Sequence, residues 1–259
     1  MINVTFDLRN FQYFLLILVR IASFIFVAPI FSQRGVPARI KIGLSFFVAV
    51  LLYNVLERPE LVYADVIGYA VLVLSEGITG MLIGFAAAIC SSIVIFAGSL
   101  IDMDIGMSMA TQFNPSMSFE TTVSGDLYYY GAMLVLLASD FHSYILRAAC
   151  DSFLVIPIGK TQFQGEHLLG AFTQYMGDIF SIGFRIFLPF FAVIMILNCI
   201  LGIMAKLAPQ MNMFAVGMQL KVLVGFAIMY LTAFMLPNIA DFLFREVKKM
   251  VVLIIEGMY

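Results

Sequence analysis

The feature that most constrains the fold is an uninterrupted apolar run at residues 66–101, which carries a single charge, Glu76. As a straight helix it would measure about 54 Å at 1.5 Å per residue, against a bilayer core of about 30 Å. Even a tilt of about 40° uses only roughly 26 of its residues. The run must therefore extend beyond the bilayer, kink, or fold back as a hairpin. Its Gly80-x-x-x-Gly84 spacing is typical of close helix packing in membranes.

Composition places the chain among integral membrane proteins. Its 259 residues are 63% hydrophobic and 12% charged, whereas soluble domains are roughly 45–50% apolar and about 25% charged. A net charge of -2 without a basic block gives no indication of nucleic-acid binding. Cys90, Cys150 and Cys199 lie in apolar runs without CxxC spacing, which indicates packing thiols rather than disulfides or a zinc site.

The hydropathy pattern predicts an all-α fold with about six long hydrophobic helices. The first run is too long for the apolar region of a typical signal peptide, so we expect it to remain in the mature protein. Connections are expected at 151–178 and 206–221. Residues 239–259 read as an amphipathic C-terminal tail, with Arg245, Glu246, Lys248 and Lys249 on its polar face. The predicted runs are 11–31, 42–56, 66–101, 127–150, 179–205 and 222–236.

A polar, methionine-rich interruption separates the third and fourth runs, at residues 102–126. It carries four acids and no Lys or Arg. Loops of this length are usually functional or disordered, and methionine adapts to irregular surfaces. We therefore predict an adaptable loop that lies inside an assembly rather than on a surface. The acids do not form an EF-hand pattern, so no metal site is predicted; they are Asp102, Asp104, Glu120 and Asp126.

Charges within and between the runs do not fit a simple bundle of spanning helices. The loops 34–41 and 206–221 and the C-terminal tail are all basic, and no arrangement of six crossings places all three in the cytoplasm. Charged residues inside runs are costly in a bilayer. They indicate buried ion pairs, contacts to other subunits, or helices that do not face lipid, and the sequence leaves these three open. The residues concerned are Arg20, Glu76, Arg147 and Arg185.

No catalytic motif is present, so neither an enzyme nor a cofactor site is predicted. The chain lacks the HExxH, G-x-S-x-G, Walker and dinucleotide-binding patterns. Asp140, His142 and Arg147 could serve a small-solute secondary transporter, which is the alternative function. Such a transporter needs an internal repeat with matched broken helices, and none is evident. A position at a helix end or in packing is the favoured explanation for Asp140 and His142.

Three segments resemble the FliR family of flagellar biosynthesis proteins, whose counterparts in virulence type III secretion are called SctT. The first matches at Arg20, Ala28, Pro29, Pro37, Arg39, Lys41, Gly43 and Leu44. The second matches at Asn198, Leu201, Gly202, Lys206, Ala208, Pro209, Gln210 and Phe214. The third, GMSMATQFNP at 106–115, carries Asn114 where the family has Asp.

The resemblance covers essentially the whole chain, so 1–259 is expected to be one FliR-type domain. It implies kinked helical hairpins arranged as a FliP-like unit followed by a FliQ-like unit. It implies a non-enzymatic pore subunit of the flagellar export gate, in the bacterial inner (cytoplasmic) membrane at the basal body, partly projecting toward the periplasm. The implied partners are FliP-type and FliQ-type subunits, an FlhB-type protein at the cytoplasmic entrance, and unfolded export substrates.

The resemblance also implies roles for individual residues. The interruption at 102–126 corresponds to a plug that closes the pore, in which a glycine permits tight turning and a proline prevents a helix. The alternative is that its methionines only fill a subunit interface. The plug residues are Gly106, Met107, Met109, Phe113, Asn114, Pro115 and Met117. Residues expected to serve assembly or structure are Arg20, Pro29, Pro37, Arg39, Lys41, Glu76, Gly80, Gly84, Asn198, Gly202, Lys206, Pro209, Gln210 and Phe214.

Overall fold

The computed structural model describes residues 8–33, 35–56, 63, 65–108, 122–210 and 212–259, and this part of the chain is all α-helical. Five of its helices are long and apolar enough to cross a membrane, or six if the broken pair α4–α5 counts as one span. The prediction of an all-α membrane protein is therefore confirmed. The helices are α1 (Leu8–Val27), α2 (Ala38–Val55), α3 (Val66–Ile105), α4 (Val123–Ala138), α5 (Phe141–Val155), α6 (Gly165–Leu207), α7 (Met213–Ala233) and α8 (Leu236–Glu256).

The long apolar run forms one continuous helix, α3, which corresponds to about 60 Å of helix axis. A hairpin within residues 66–101 is therefore wrong. No proline interrupts the run, and its side chains are apolar on all faces, so the hydrogen-bonded ladder continues until Gly106.

The chain divides into two compact units that do not follow one another along the sequence. The first comprises Met1–Ile89, Asp140–Gln174 and Arg245–Tyr259, and the second comprises Cys90–Ser139 and Tyr175–Phe244. The arrangement as a FliP-like unit followed by a FliQ-like unit, the kinked hairpins and the single FliR-type domain stay predictions.

In the first unit, α1 is the central helix. The ring of Phe14 packs edge-on against Phe46 and Tyr53 of α2. Backbone hydrogen bonds join the segment before α6 to the residues that follow α8. The N–H groups of Gln162 and Gln164 donate to the carbonyls of Met258 and Gly257, respectively. The core is aliphatic and aromatic; Leu16, Ile17, Ile21, Phe24, Ile83 and Phe141 are almost completely buried.

In the second unit, aromatic contacts join helices that are far apart in sequence. Phe96 of α3 packs edge-on against Phe180 and Phe184 of α6. Tyr128 of α4 packs edge-on against Phe190 of α6, and its hydroxyl hydrogen-bonds the Thr232 hydroxyl of α7. These contacts connect α3, α4, α6 and α7 within the second unit.

Several predicted boundaries are wrong because polar residues continue helices that hydropathy ends. The connection at 151–178 shrinks to 156–164, since α6 begins at Gly165, and the connection at 206–221 shrinks to 208–212. The run at 127–150 is two helices, broken at Ser139–Asp140, where Asp140 has φ 58. In α8, Glu246 is not on the polar face as predicted: it is buried and accepts a hydrogen bond from Lys249 Nζ at 2.7 Å.

Candidate functional site

The segment that leads from α3 to α4 is fastened at its two ends by one buried carboxylate. Asp102, only 3% exposed, lies in the last turn of α3. Its two oxygens accept the backbone N–H of Ser124 at 3.3 and 3.2 Å, and Oδ1 also accepts the Ser124 hydroxyl. Since a buried carboxylate is costly unless it is hydrogen-bonded, this contact fixes the start of α4 beside the end of α3.

Two glycines allow the same ends to approach at backbone distance. A Cβ on Gly98 of α3 would collide with the Cα and N of Gly125. The Thr122 hydroxyl caps α4 by accepting the N–H of Gly125 at 3.1 Å. We call these contacts of Gly98, Asp102, Thr122, Ser124 and Gly125 the segment base. They hold the end of α3 and the start of α4 together.

Gly106 ends α3 in a left-handed conformation, with φ 91. This is a region that favours glycine, and it turns the chain away from the helix. The predicted turning role of Gly106 therefore matches its backbone. The predicted interruption at 102–126 is too long at both ends, since α3 continues to Ile105 and α4 begins at Val123. Asp102 and Asp104 lie inside α3 and Asp126 lies inside α4, so these acids do not end the helices.

Most of the predicted plug lies outside the described residues. Gly106 and Met107 are half-buried at the turn that follows α3. Met109, Phe113, Asn114, Pro115 and Met117 are outside the described part of the chain, and their role stays a prediction.

A groove beside this turn brings together residues from the second and third resembling segments. It has a volume of about 230 Å³. Gly106 of the plug segment lines it, together with Asn198 on α6 and Phe214 on α7. Lys221 of α7 closes one side and lies within electrostatic range of Asp104. We call it the α6–α7 groove; its other lining residues are Ile105, Leu201, Met213, Gly217 and Met218.

The first unit contains a buried charge cluster around Arg20 and Glu76. Arg20 Nε donates to Glu76 Oε2 at 2.5 Å, and the two side chains are 1% and 0% exposed. Arg20 Nη1 donates to the Ile156 carbonyl at 3.0 Å, and its guanidinium lies 4.2 Å from the centre of the Phe153 ring. Glu76 Oε1 accepts the N–H of Gly159, at 3.0 Å. Of the three explanations that the sequence left open, a buried ion pair is correct for Arg20 and Glu76.

This charge cluster holds the turn that follows α5 against α1 and α3. Gly159 has φ 78, a conformation that suits glycine at a turn facing a carboxylate. Gly80 and Gly84 of α3 lie against α1 next to the cluster: a Cβ on Gly80 would collide with the Arg20 carbonyl and the Ser23 hydroxyl, and one on Gly84 would lie 2.9 Å from Val27 Cβ. The close-packing pattern thus has α1 as its partner.

The other predicted structural residues of the first segment lie around the start of α2. Pro29 is buried in the turn after α1, and its carbonyl accepts Gln33 Nε2 at 3.2 Å. Pro37 immediately precedes α2 and is compatible with a helix start. Arg39 is exposed, whereas Lys41 Nζ lies 5.8 Å from the centre of the Phe26 ring.

The second resembling segment leaves most of its matching residues on the surface of this chain. Gly202, Lys206, Pro209 and Gln210 are exposed at the end of α6 and in the turn before α7. A Cβ on Gly202 would meet nothing within 4 Å among the described atoms. Packing within the described chain therefore does not explain the identity of these residues.

The residues of the transporter alternative do not form an enclosed site. Asp140 is exposed and precedes α5, and His142 lies in the first turn of that helix. Arg147 is exposed on α5. The helix-end explanation for Asp140 and His142 is correct.

Sequence reasoning missed the contacts that build the segment base. The sequence shows Asp102 only as one of four acids in the interruption; it does not mark Ser124 as the partner of Asp102, and it gives Gly98 and Gly125 no role. A signal was present in the Thr-Val-Ser-Gly sequence at 122–125, which combines a helix cap with small residues.

Comparison with known proteins identifies relatives along most of the chain. The family model described as "Bacterial export proteins, family 1" matches residues 11–247. The flagellar biosynthetic protein FliR of Bacillus subtilis (strain 168) is 31% identical over 218 residues, 83% of this chain and 84% of the relative. That of Escherichia coli (strain K12) is 30% identical over 237 residues, 89% of this chain and 87% of the relative. That of Aquifex aeolicus (strain VF5) is 27% identical over 214 residues, covering 82% of each chain.

Proposed function

Because the chain belongs to the bacterial export proteins, family 1, we propose that it is a non-enzymatic subunit of the flagellar type III protein export gate. It is a membrane-embedded component of flagellar biosynthesis and protein export, as its FliR relatives indicate. In this function it helps to form the channel for unfolded flagellar proteins, and residues 106–117 help to close that channel.

The observation that carries the closure function is the buried, hydrogen-bonded segment base. Asp102 and Ser124 hold the two ends of the segment together, and Gly98 and Gly125 bring the two helices to backbone distance. A segment that closes a pore must be adaptable itself but must leave a fixed support, because a moving base would change the closed position. Methionine-rich sequence beyond a buried, hydrogen-bonded base meets both needs.

Exposed apolar surface supports a function within an assembly. Only 11% of the spanning window of α6 is buried within the chain, compared with 53% for α3. Apolar faces of this extent on a protein mark contacts with other proteins or with lipid. Gly202, Lys206, Pro209 and Gln210 lie on this surface and have no role in packing the described chain. We assign the part of this surface at the end of α6 and in the turn before α7, around Gly202, Lys206, Pro209 and Gln210, to FliP-type and FliQ-type subunits, with an FlhB-type protein at the cytoplasmic entrance.

The location follows from the same proposal. The protein resides in the inner membrane at the flagellar basal body, and part of its helical length projects toward the periplasm. The length of α3 and α6 supports this, since 40 and 43 residues correspond to about 60 and 65 Å of helix. Both exceed the bilayer core of about 30 Å.

The test deletes residues 109–114 and leaves the segment base intact. The expected result is leakage of a small dye through membranes that contain the assembled gate, because the closing residues are gone. Assembly is checked by copurification of the partner subunits with the variant. Unchanged permeability together with normal assembly contradicts the closure role.

A matched control replaces residues 109–114 with six residues of Ser and Gly, which keeps the length and removes the Met and Phe side chains. Leakage in both variants assigns closure to the apolar side chains. Leakage in the deletion alone assigns it to segment length.

A further inference from the structure

Arg185 marks one end of an uncharged stretch that is as long as a bilayer is thick. No charged residue lies between Arg185 and Lys206 on α6. The intervening residues, 186–205, correspond to about 30 Å of helix, which equals the hydrocarbon core. If α6 crosses a bilayer here, the two cations lie at opposite headgroup levels, where Lys and Arg side chains reach the polar interface.

Arg185 carries an unneutralised charge on this surface. It is exposed, and in the described part of the chain no carboxylate lies within ion-pair distance of it. Its exposed helical neighbours Phe184 and Leu188 are large and apolar. A cation in apolar surroundings is costly unless it meets an anion, so the site has a charge preference that the described chain does not satisfy.

An apolar cavity of about 230 Å³ opens beside Arg185 in the second unit. On α6 it extends from Ile182 past Arg185 to Phe190, so it continues from the cation into the uncharged stretch. Asn238 of α8 lines it together with Arg185, which adds an amide that can donate hydrogen bonds. The rest of the lining is mainly aliphatic and aromatic and comes largely from α6, α8 and the turn before α8, among them Ile186, Pro189, Met235, Ile239 and Phe242.

We propose that this cavity binds an anionic phospholipid of the surrounding membrane. The lipid phosphate pairs with the Arg185 guanidinium and accepts from the Asn238 amide, while one acyl chain enters the cavity toward Pro189. Arg binds phosphate well because its planar fork can donate two parallel hydrogen bonds. Basic pockets between membrane helices bind anionic headgroups in the same way.

The combination of charge and depth favours a lipid over a free anion. A phosphate ion would use Arg185 and Asn238 but would leave the apolar cavity unfilled. An acyl chain fills the cavity and makes dispersion contacts with its walls, which a phosphate ion cannot do. A site for a soluble anion does not need an apolar cavity. A phospholipid needs a polar site for its phosphate and an adjoining apolar cavity for its acyl chain.

The experiment measures lipid retention by the purified protein together with its copurifying subunits. Native mass spectrometry follows titration with phosphatidylglycerol or phosphatidylcholine of identical acyl chains. The expected result is at least tenfold preference for phosphatidylglycerol, lost in Arg185→Gln and largely retained in Arg185→Lys. Arg147→Gln, which removes another exposed arginine, should leave the preference unchanged.

Two further arms separate the phosphate from the acyl chain. Ile239→Phe narrows the cavity without altering charge and should reduce retention of phosphatidylglycerol. Glycerophosphoglycerol, which has the headgroup without acyl chains, should not compete at equal concentration; effective competition would instead indicate a site for a soluble anion. Helix content measured by circular dichroism verifies that each variant is folded.

Other outcomes would overturn the proposal. Equal retention of the two lipids by the folded wild type would show that the site does not select an anionic headgroup. Unchanged retention in Arg185→Gln would show that Arg185 does not bind the lipid. A photo-crosslinker at position 185 that reacts with a copurifying protein instead of lipid assigns the surface to a protein partner.

Discussion

Neutralising Glu76 should destabilise the first unit far more than neutralising an exposed member of an ion pair. Glu76→Gln keeps the shape of the side chain, and its carbonyl oxygen can still accept the N–H of Gly159, now 3.0 Å from Glu76 Oε1. It leaves Arg20 charged, 1% exposed and without an anion. The variant therefore isolates the cost of an unpaired buried cation.

The magnitude follows from the burial of both groups. Removing one partner of a buried ion pair costs about 3–5 kcal/mol, since the remaining charge stays desolvated. Arg20 keeps the Ile156 carbonyl at 3.0 Å as an acceptor, which places Glu76→Gln near the lower end. At roughly 2–4 °C per kcal/mol for a chain of this size, 3 kcal/mol lowers the midpoint of unfolding by about 6–12 °C.

The assay is thermal unfolding in detergent, followed by far-UV circular dichroism because the chain has no Trp. A double-mutant cycle with Arg20→Met isolates the pairwise contribution. The double variant should be more stable than the sum of the single losses predicts, by about 2 kcal/mol, because it contains no unpaired charge.

The matched control is Lys249→Gln, which breaks the ion pair with Glu246. Its Nζ lies 2.7 Å from Glu246 Oε1, but the lysine side chain is 60% exposed. We expect a loss below about 1 kcal/mol. Equal losses for Glu76→Gln and Lys249→Gln, or a cycle with no coupling between Arg20 and Glu76, would refute the reasoning.

Two further substitutions test the close contacts. Gly80→Val should reduce recovery of folded, monodisperse protein several-fold because its Cβ would collide with the α1 backbone, whereas Gly202→Val, which has free space, should be recovered at the wild-type level if judged before subunit assembly. Asp102→Ala leaves a buried N–H without its acceptor and should cost about 1–3 kcal/mol. A spin label at Met107 in a cysteine-free background should become more mobile in that variant; unchanged mobility would contradict the role of Asp102 as the fastening of the segment.

Membership of the export family was predictable because the resembling motifs are local in sequence. Each motif can be recognised without knowing what it contacts. The motifs are the Arg20–Leu44 pattern, the Ala208-Pro209-Gln210 pattern and the Gly106–Pro115 segment. Their meeting place could not be read in this way. Only the structure brings Gly106, Asn198 and Phe214 into one groove, since they come from the end of α3, the interior of α6 and the first turn of α7.

Helix ends were the least predictable part of the fold. Hydropathy ended the third run at residue 101 and the fifth at 205, but α3 continues to Ile105 and α6 to Leu207. Backbone hydrogen bonds persist through charged residues when the neighbouring packing permits it. Ends are instead determined by local devices, such as the left-handed Gly106 and the Thr122 cap.

The sequence by itself determined that this is an all-α membrane protein of the export family, because total hydrophobicity and motif order do not depend on how the chain folds. Only the tertiary structure decided what the charges inside the apolar runs do. Arg20 and Glu76 are 56 positions apart and neutralise each other, while Arg185, of the same residue type and in a similar run, remains exposed. Both arginines look alike in a hydropathy profile. The difference is whether packing brings a carboxylate within reach, and because Arg20 is buried, loss of that carboxylate costs about 3–5 kcal/mol.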